Sequence, residues 1–285
     1  MKILLTGAKG QLGRCFIDRL PEDWNIFATD ASELDITNQD MVLDTVEKYL
    51  PDVIVNAAAY TAVDKAESDS KAAMNVNAIG PANLALAANK YNARIIHVST
   101  DYVFDGNAHE PYDEKSETNP LSVYGKTKLD GERLVIQANS KAIIIRTAWV
   151  FSEYGNNFVK TMLKLGREKD SLGIISDQFG CPTYAGDIAN AIITMIRKKN
   201  DIGIYHFCGD EIVSWYDFAQ RIFCQAKKNN KILKIPSINA ISTDQYPTAA
   251  IRPKYSVLSC NKICALGIMP SDWNKSLDYV IDNIN

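Results

Sequence analysis

A mixed α/β fold, a doubly wound parallel sheet followed by a smaller C-terminal cap, is what this sequence predicts, and three observations predict it. Short β-branched runs alternate with longer amphipathic segments, a glycine-rich turn joins the first run to the first such segment, and the rhythm loosens after about residue 150. Strands that are apolar along their whole length need cover on both faces, which is the parallel-sheet arrangement with helices on either side. The strands read as Ile3 to Leu5, Asn25 to Ala28, Val53 to Val55, Ile95 to Val98 and Ile143 to Ile145. The helices between them read as Gln11 to Arg19, Asn38 to Tyr49, Ser70 to Tyr91 and Ser122 to Ala138, and right-handed crossovers then wind the sheet. Further helical patterns fall at 157–169, 184–199, 214–228 and 272–284, with a strand-like Gly203 to Phe207 and a proline-rich loop at 236–253. Residues 1–150 are thus expected to be the nucleotide-binding unit, and 151–285 mainly a substrate-binding one from which some elements return to the sheet.

Composition narrows the function. The 285 residues are 46% hydrophobic, enough to fill a core of this size. A net charge of −3, from 31 basic and 34 acidic side chains, provides no electrostatic footprint for nucleic acid, so an anionic ligand must be small and met by local groups. The apolar opening Ile3 to Leu5 is too short for a signal peptide, and no run of roughly 18 apolar residues follows, so no membrane association and a cytoplasmic location are expected. The six cysteines contain no CxxC pair and no nearby histidine that would complete a zinc site, and read as free packing thiols.

The segment Gly7-Ala-Lys-Gly10-Gln-Leu-Gly13 follows a predicted strand and opens a predicted helix, the context that a dinucleotide fingerprint requires. Glycines there permit a tight turn and let a pyrophosphate approach the helix N-terminus. Asp30 ends the second strand, near the offset of roughly 20 residues expected of a ribose-binding carboxylate. It accepts from the ribose hydroxyls of NADH and repels a 2′-phosphate. Lys9 offsets that argument if it neutralises a phosphate, and is uninformative if it is a solvated surface lysine, so NADPH and NADH both stay open.

Chemistry points to Tyr124-Gly-Lys-Thr-Lys128 at the start of a predicted helix, where the i, i+4 spacing puts phenol and ammonium on one face. At about 4 Å and an effective dielectric near 20, their attraction is on the order of 4 kcal/mol, or about 3 pKa units of lowering for the phenol, with desolvation acting the other way. YxxxK alone is common in surface helices. Here it falls one element after the strand Ile95 to Val98, whose end carries Ser99-Thr100-Asp101, and open α/β sheets bind ligands at the carboxyl ends of their strands. Thr100 is expected to donate to the oxygen that Tyr124 protonates. The histidines 97, 109 and 206 read as structural, since none clusters with another ligand type.

With this turn, Asn56-Ala-Ala-Ala59, the Thr-Tyr-Lys set and a C-terminal cap, the chain resembles the extended short-chain dehydrogenases/reductases. Within that group, VIVNAAAYTAVDKAE (53–67), STDYVFDG (99–106), VYGKTKLDGE (123–132) and RTAWVF (146–151) are similar to the dTDP-4-dehydrorhamnose reductase family, as are DQFGCPT (177–183) and YPTAAIRP (246–253). The resemblance implies NAD(P)H-dependent reduction of a dTDP-linked 4-keto sugar to dTDP-L-rhamnose. It implies that Gly10, Gln11 and Leu12 meet the pyrophosphate, that Asp30, Asp35 and Ile36 meet the adenosine, and that Ala59, Tyr60 and Thr61 meet the middle of the cofactor. Lys128 would bind the nicotinamide ribose, and Thr100, Asp101, Tyr124 and Trp149 the sugar, with Val63 near it. Trp149 also reads as a core aromatic, and Arg252 either as a diphosphate clamp or as a surface residue.

Some family members dimerise through magnesium held by glutamates, and the aligned positions here are Cys15, Gly186 and Asn274, none of them a hard oxygen anion. A metal-independent protein, monomeric or a homodimer without metal, is expected. Two alternatives accompany this reading. One is an epimerase or dehydratase of the same fold, against which Tyr102 stands where a dehydratase carries an acid. The other is a non-catalytic NADP-binding regulatory subunit resembling that of methionine adenosyltransferase.

Overall fold

Strands β1 (Lys2–Thr6), β2 (Asn25–Thr29), β3 (Val53–Asn56), β4 (Arg94–Thr100) and β5 (Ile143–Thr147) form one parallel sheet with the edge strand Gly203–His206 in a computed structural model that describes residues 1–198 and 202–284. Across the sheet the order is β2, β1, β3, β4, β5 and then Gly203–His206. The doubly wound parallel sheet read from the sequence is therefore present. The chain turns one way from β1 to β2 and the other way to β3, so the topological switch lies between β1 and β3, the place where such sheets bind ligands. Residues 199 and 285, the ends of a predicted helix and of the second predicted unit, lie outside the described residues.

The apolar runs divide between two faces because side chains alternate along a strand. Ile3, Leu5, Val53, Val55, Ile143 and Ile145 join one core with α1 (Gln11–Asp18) and helix Ala185–Lys198, and that core continues to Phe218, Ile222 and Phe223. Leu4, Ile54, Ile95 and Ile144 form the other with α2 (Gln39–Tyr49) and the helix ending at Lys90. After the short α3 (Val63–Ala66), the predicted helix at 70–91 is interrupted: α4 (Ser70–Met74) passes through a π-helical turn, Asn75–Ile79, into α5 (Gly80–Lys90). A π turn inserts a residue and redirects side chains, often at functional sites. Here it presents the buried Asn77, whose carboxamide accepts from Tyr60 N at 2.8 Å and donates to Tyr60 O and Thr127 Oγ1 at 3.1 Å each.

Helix α6 (Val123–Ala138) packs closely on this turn through glycine. A Cβ on Gly131 would lie 2.1 Å from Asn77 O, and one on Gly125 would lie 2.2 Å from Tyr102 O. The same helix carries the buried Glu132, whose carboxylate takes a two-pronged grip from Arg146 of β5, Nε–Oε1 2.9 Å and Nη2–Oε2 2.7 Å. Arg146 also lies over the Phe104 ring at 5.1 Å. Outside the main sheet, Ser171–Ile175 pairs with Ser237–Ile241, Val150–Phe151 with Thr183–Tyr184, and Phe179–Gly180 with Val213–Ser214.

Candidate active site

A cavity of about 720 Å³ opens at the carboxyl ends of the strands, within the range of about 300–1,000 Å³ usual for ligand sites. Gly7, Gly10, Gln11 and Leu12 line it from the turn after β1, and Asp30, Asp35 and Ile36 from the stretch after β2. Ala59, Thr61 and Val63 follow β3, while Thr100, Asp101, Tyr124, Lys128 and Trp149 complete the wall. Three sequence-predicted residues stand behind that wall. Gly13 is a packing glycine, since a Cβ there would sit 2.2 Å from Gly7 O. Tyr60 turns its hydroxyl to Asp69, 3.3 Å away, and its backbone is held by Asn77. Arg252 is gripped by Asp64, Nη1–Oδ1 3.1 Å and Nη2–Oδ2 2.5 Å, and so does not lie free on the surface.

The glycine turn is built by backbone demand. Gly7 has φ 74°, in the left-handed region, and its Cα faces the chain after β3 so closely that a Cβ would meet Ala58 N at 2.6 Å. The two loops of the switch point therefore touch. Behind them Asn56 Oδ1 accepts from Thr6 Oγ1 at 2.8 Å and Ala58 N at 3.1 Å, and its amide reaches His97 Nδ1 at 3.0 Å. His97, buried beside Lys128, has its pKa lowered well below the usual imidazole value, chiefly by burial. Lys9 lies 3.5 Å from both Asp30 and Glu33, so its charge stands next to the carboxylate expected to meet the ribose. The Asp35 carboxylate accepts from Thr37 N and Oγ1, which folds this stretch into a tight turn.

At the chemical end, Ser122 caps α6 by accepting from Gly125 N, and the first turn then projects Tyr124 and Lys128 into the cavity. Tyr124 is half-buried and lines the cavity with Thr100, and Tyr102 packs edge-on against its ring at 5.5 Å. Thr100 Oγ1 donates to Asp101 Oδ1 at 2.9 Å. Burial pushes the Tyr124 phenol up to about 12, and the neighbouring Thr100 hydroxyl only partly opposes it. This corrects the expectation that Lys128 lowers the phenol. The Lys128 ammonium donates to Val98 O at 2.7 Å, and desolvation brings its own pKa down to about 8. Burial likewise raises the Asp101 carboxyl to about 6.

Strand ends supply what the sequence reading missed. Ser99 and Thr147 line the cavity, are buried, and leave Ser99 Oγ and Thr147 Oγ1 without a hydrogen-bond partner in the protein. Buried polar groups are almost always paired, so these two fit a wall made for a polar ligand. Thr147 lies in register with Thr100 on the neighbouring strand, a signal available once β5 is extended past Ile145. Trp215, also in the wall, had no signal in the sequence. Trp149 has φ 45°, a conformation that costs a bulky residue on the order of 1–3 kcal/mol and persists only where surrounding structure enforces it. Among the described residues no group of three or more His, Cys, Asp or Glu side chains could hold a metal ion. No helix among them is long and apolar enough to cross a membrane.

A glycine turn at the switch point of a doubly wound sheet, with a Tyr and a buried Lys one helical turn apart beside a strand-end Thr, defines the class: short-chain dehydrogenases/reductases, which are nicotinamide-dependent oxidoreductases. Comparison with known proteins is specific. A family model described as the RmlD substrate binding domain matches residues 1–285. The dTDP-4-dehydrorhamnose reductase of Aggregatibacter actinomycetemcomitans is 50% identical over 98% of this chain and 98% of its own. A dTDP-4-dehydrorhamnose reductase structure from Clostridium acetobutylicum has a TM-score of 0.93 at 45% identity and covers 99% of both chains. One from Bacillus anthracis, in complex with NADP, has a TM-score of 0.92 at 38% identity over 98% of both. The chain belongs to the dTDP-4-dehydrorhamnose reductase family.

Proposed function

We propose that this protein reduces the 4-keto group of dTDP-4-dehydro-β-L-rhamnose, giving dTDP-L-rhamnose, with NADPH or NADH as reductant. The observation that carries the reading is that Tyr124, Thr100 and Lys128 line one cavity together with the glycine turn. The residues fit a nicotinamide dinucleotide: a left-handed Gly7, a helix N-terminus at Gly10 to Leu12, and the carboxylate of Asp30. When bound, the reduced nicotinamide supplies the hydride to the keto carbon. Tyr124 gives its proton to the oxygen that gains charge as the C=O bond becomes C–O–H, and Thr100 steadies that oxygen by turning its one hydroxyl proton to it from Asp101 Oδ1. A phenol raised to about 12 keeps its proton throughout the neutral range, which suits a donor in the reducing direction. Lys128 would hold the nicotinamide ribose with the ammonium donors that Val98 O leaves free. Asp101, Trp149 and Val63 face the sugar. Lys9 next to Asp30, and the NADP held by the Bacillus anthracis relative, support use of NADPH.

Redox stoichiometry separates this reading from the epimerase or dehydratase alternative. Tyr102, packed on Tyr124, is no carboxylic acid and has its own phenol pushed up by burial. One NADPH oxidised per 4-keto sugar is expected, with Tyr124→Phe keeping its cofactor affinity while kcat falls by roughly 10²–10⁴-fold. Redox-neutral turnover, or a Tyr124→Phe variant as fast as the wild type, contradicts the proposal. We also read the protein as metal-independent, monomeric or a homodimer. Cys15 and Gly186 are buried between α1 and helix Ala185–Lys198, and the Asn274 carboxamide accepts from Arg221 at 2.8 Å.

A further inference from the structure

The cap side of the cavity contains a pair of indoles that the proton and hydride transfers do not use. Trp149 and Trp215 lie face to face, ring centroids 3.5 Å apart and planes 5° apart, and both line the cavity. Direct face-to-face overlap is the less favoured way for two aromatic rings to meet, so the arrangement needs support from outside the pair. That support is built on both sides. Trp215 is the first residue of helix Trp215–Lys228, whose start is fixed by the reciprocal capping of Ser214 and Asp217, and Phe158 packs against it at 4.6 Å. Trp149 is held in its left-handed backbone by Thr183 N, which donates to Trp149 O at 3.1 Å. Its indole fits only because residue 180 is glycine: an added Cβ would lie 2.5 Å from Trp149 Cε2. A strained, bulky residue fixed by three separate stretches of chain marks a functional position.

We propose that Trp215 is a positioning residue for the sugar nucleotide: its ring locks Trp149 in the wall that the substrate meets, and Gly180 provides the space for it. The inference rests on the reductase reading and deepens it. The indoles stack on each other, whereas the Tyr124 ring meets Tyr102, so the pair serves binding of the substrate rather than proton transfer.

The test is steady-state reduction of the dTDP-4-keto sugar at saturating NADPH by the full-length Trp215→Ala, Trp215→Phe and Gly180→Ala proteins. Trp215→Ala is expected to raise KM about tenfold, the size of a lost aromatic pair, with kcat within about threefold of wild type and NADPH affinity unchanged. Trp215→Phe, which restores a flat ring, recovers most of that loss. Gly180→Ala, which displaces Trp149 from another direction, raises KM in the same way. An unchanged KM in a folded Trp215→Ala protein overturns the inference. So does a parallel fall in kcat and NADPH affinity that Phe does not rescue, since that is the mark of general structural damage. If the wild type oxidises no NADPH with this substrate, the reductase reading itself fails. Calorimetric binding of dTDP-L-rhamnose then still decides the role of Trp215, upheld by about tenfold weaker binding in Trp215→Ala and overturned by equal binding.

Discussion

The sheet wall and the cap wall of one cavity are built by opposite means. On the sheet side, Ser99, Thr100 and Thr147 sit at the ends of adjacent hydrogen-bonded strands, and Tyr124 and Lys128 stand on a capped helix anchored by the Glu132–Arg146 pair. Position there follows from register and from one helical turn. On the cap side, Trp149, Gly180 and Trp215 come from three stretches and meet through ring stacking and a strained backbone. The difference teaches where the proposed tasks would reside: proton transfer on the wall set by strand register, and positioning of the sugar nucleotide on the wall set by ring stacking.

The comparison breaks most sharply at the sheet wall. Loss of the Tyr124 hydroxyl should remove turnover by the factors given above without weakening NADPH, and a loss confined to KM would reverse the assignment of the two walls. Next in size, Glu132→Ala leaves Arg146 buried and unpaired, and should lower unfolding free energy by about 3–5 kcal/mol in urea titration. A change below about 1 kcal/mol would mean that the pair does not anchor α6.

Asp101 is expected to show in the pH dependence of stability. Its folded carboxyl, raised from 3.8 to about 6, binds a proton more tightly than the unfolded chain does, so stability falls as pH rises through that window. The decline is about 3 kcal/mol, and Asp101→Asn should flatten it; melts across pH that keep the slope in the variant would assign it to other groups. The Trp215 substitutions, about tenfold in KM, come after this and sharpen the cap side. Smallest is Arg252→Ala. The Asp64–Arg252 pair is partly exposed, so its loss should lower stability by about 1 kcal/mol or less in thermal melts. A rise in KM for the sugar nucleotide without a change in melting would instead make Arg252 a substrate contact.

Legibility follows the same divide. The strand pattern, the glycine turn, Asp30 and the Tyr124/Lys128 spacing were readable because each rests on local rules: alternation along a strand, φ freedom at Gly7, one turn of helix between i and i+4. The expected lowering of the Tyr124 phenol was not, because it depends on how deeply the ring is buried and on whether the Lys128 ammonium is free. Tertiary packing buries the ring and assigns the ammonium to Val98 O. Arg252 was ambiguous for the same reason, its partner Asp64 lying 188 residues away.

By itself, then, the sequence determined the doubly wound sheet, the order of its elements and most of the residues that line the cavity, since these are set by periodicity and by motifs a few residues long. Only the tertiary structure decided that the helix at 70–91 widens into a π turn around Asn77, that Gly13, Tyr60 and Arg252 stand behind the wall, and that Trp215 backs Trp149. Each of these is a contact between distant segments, and a contact of that kind exists only once the hydrophobic cores have brought the segments together.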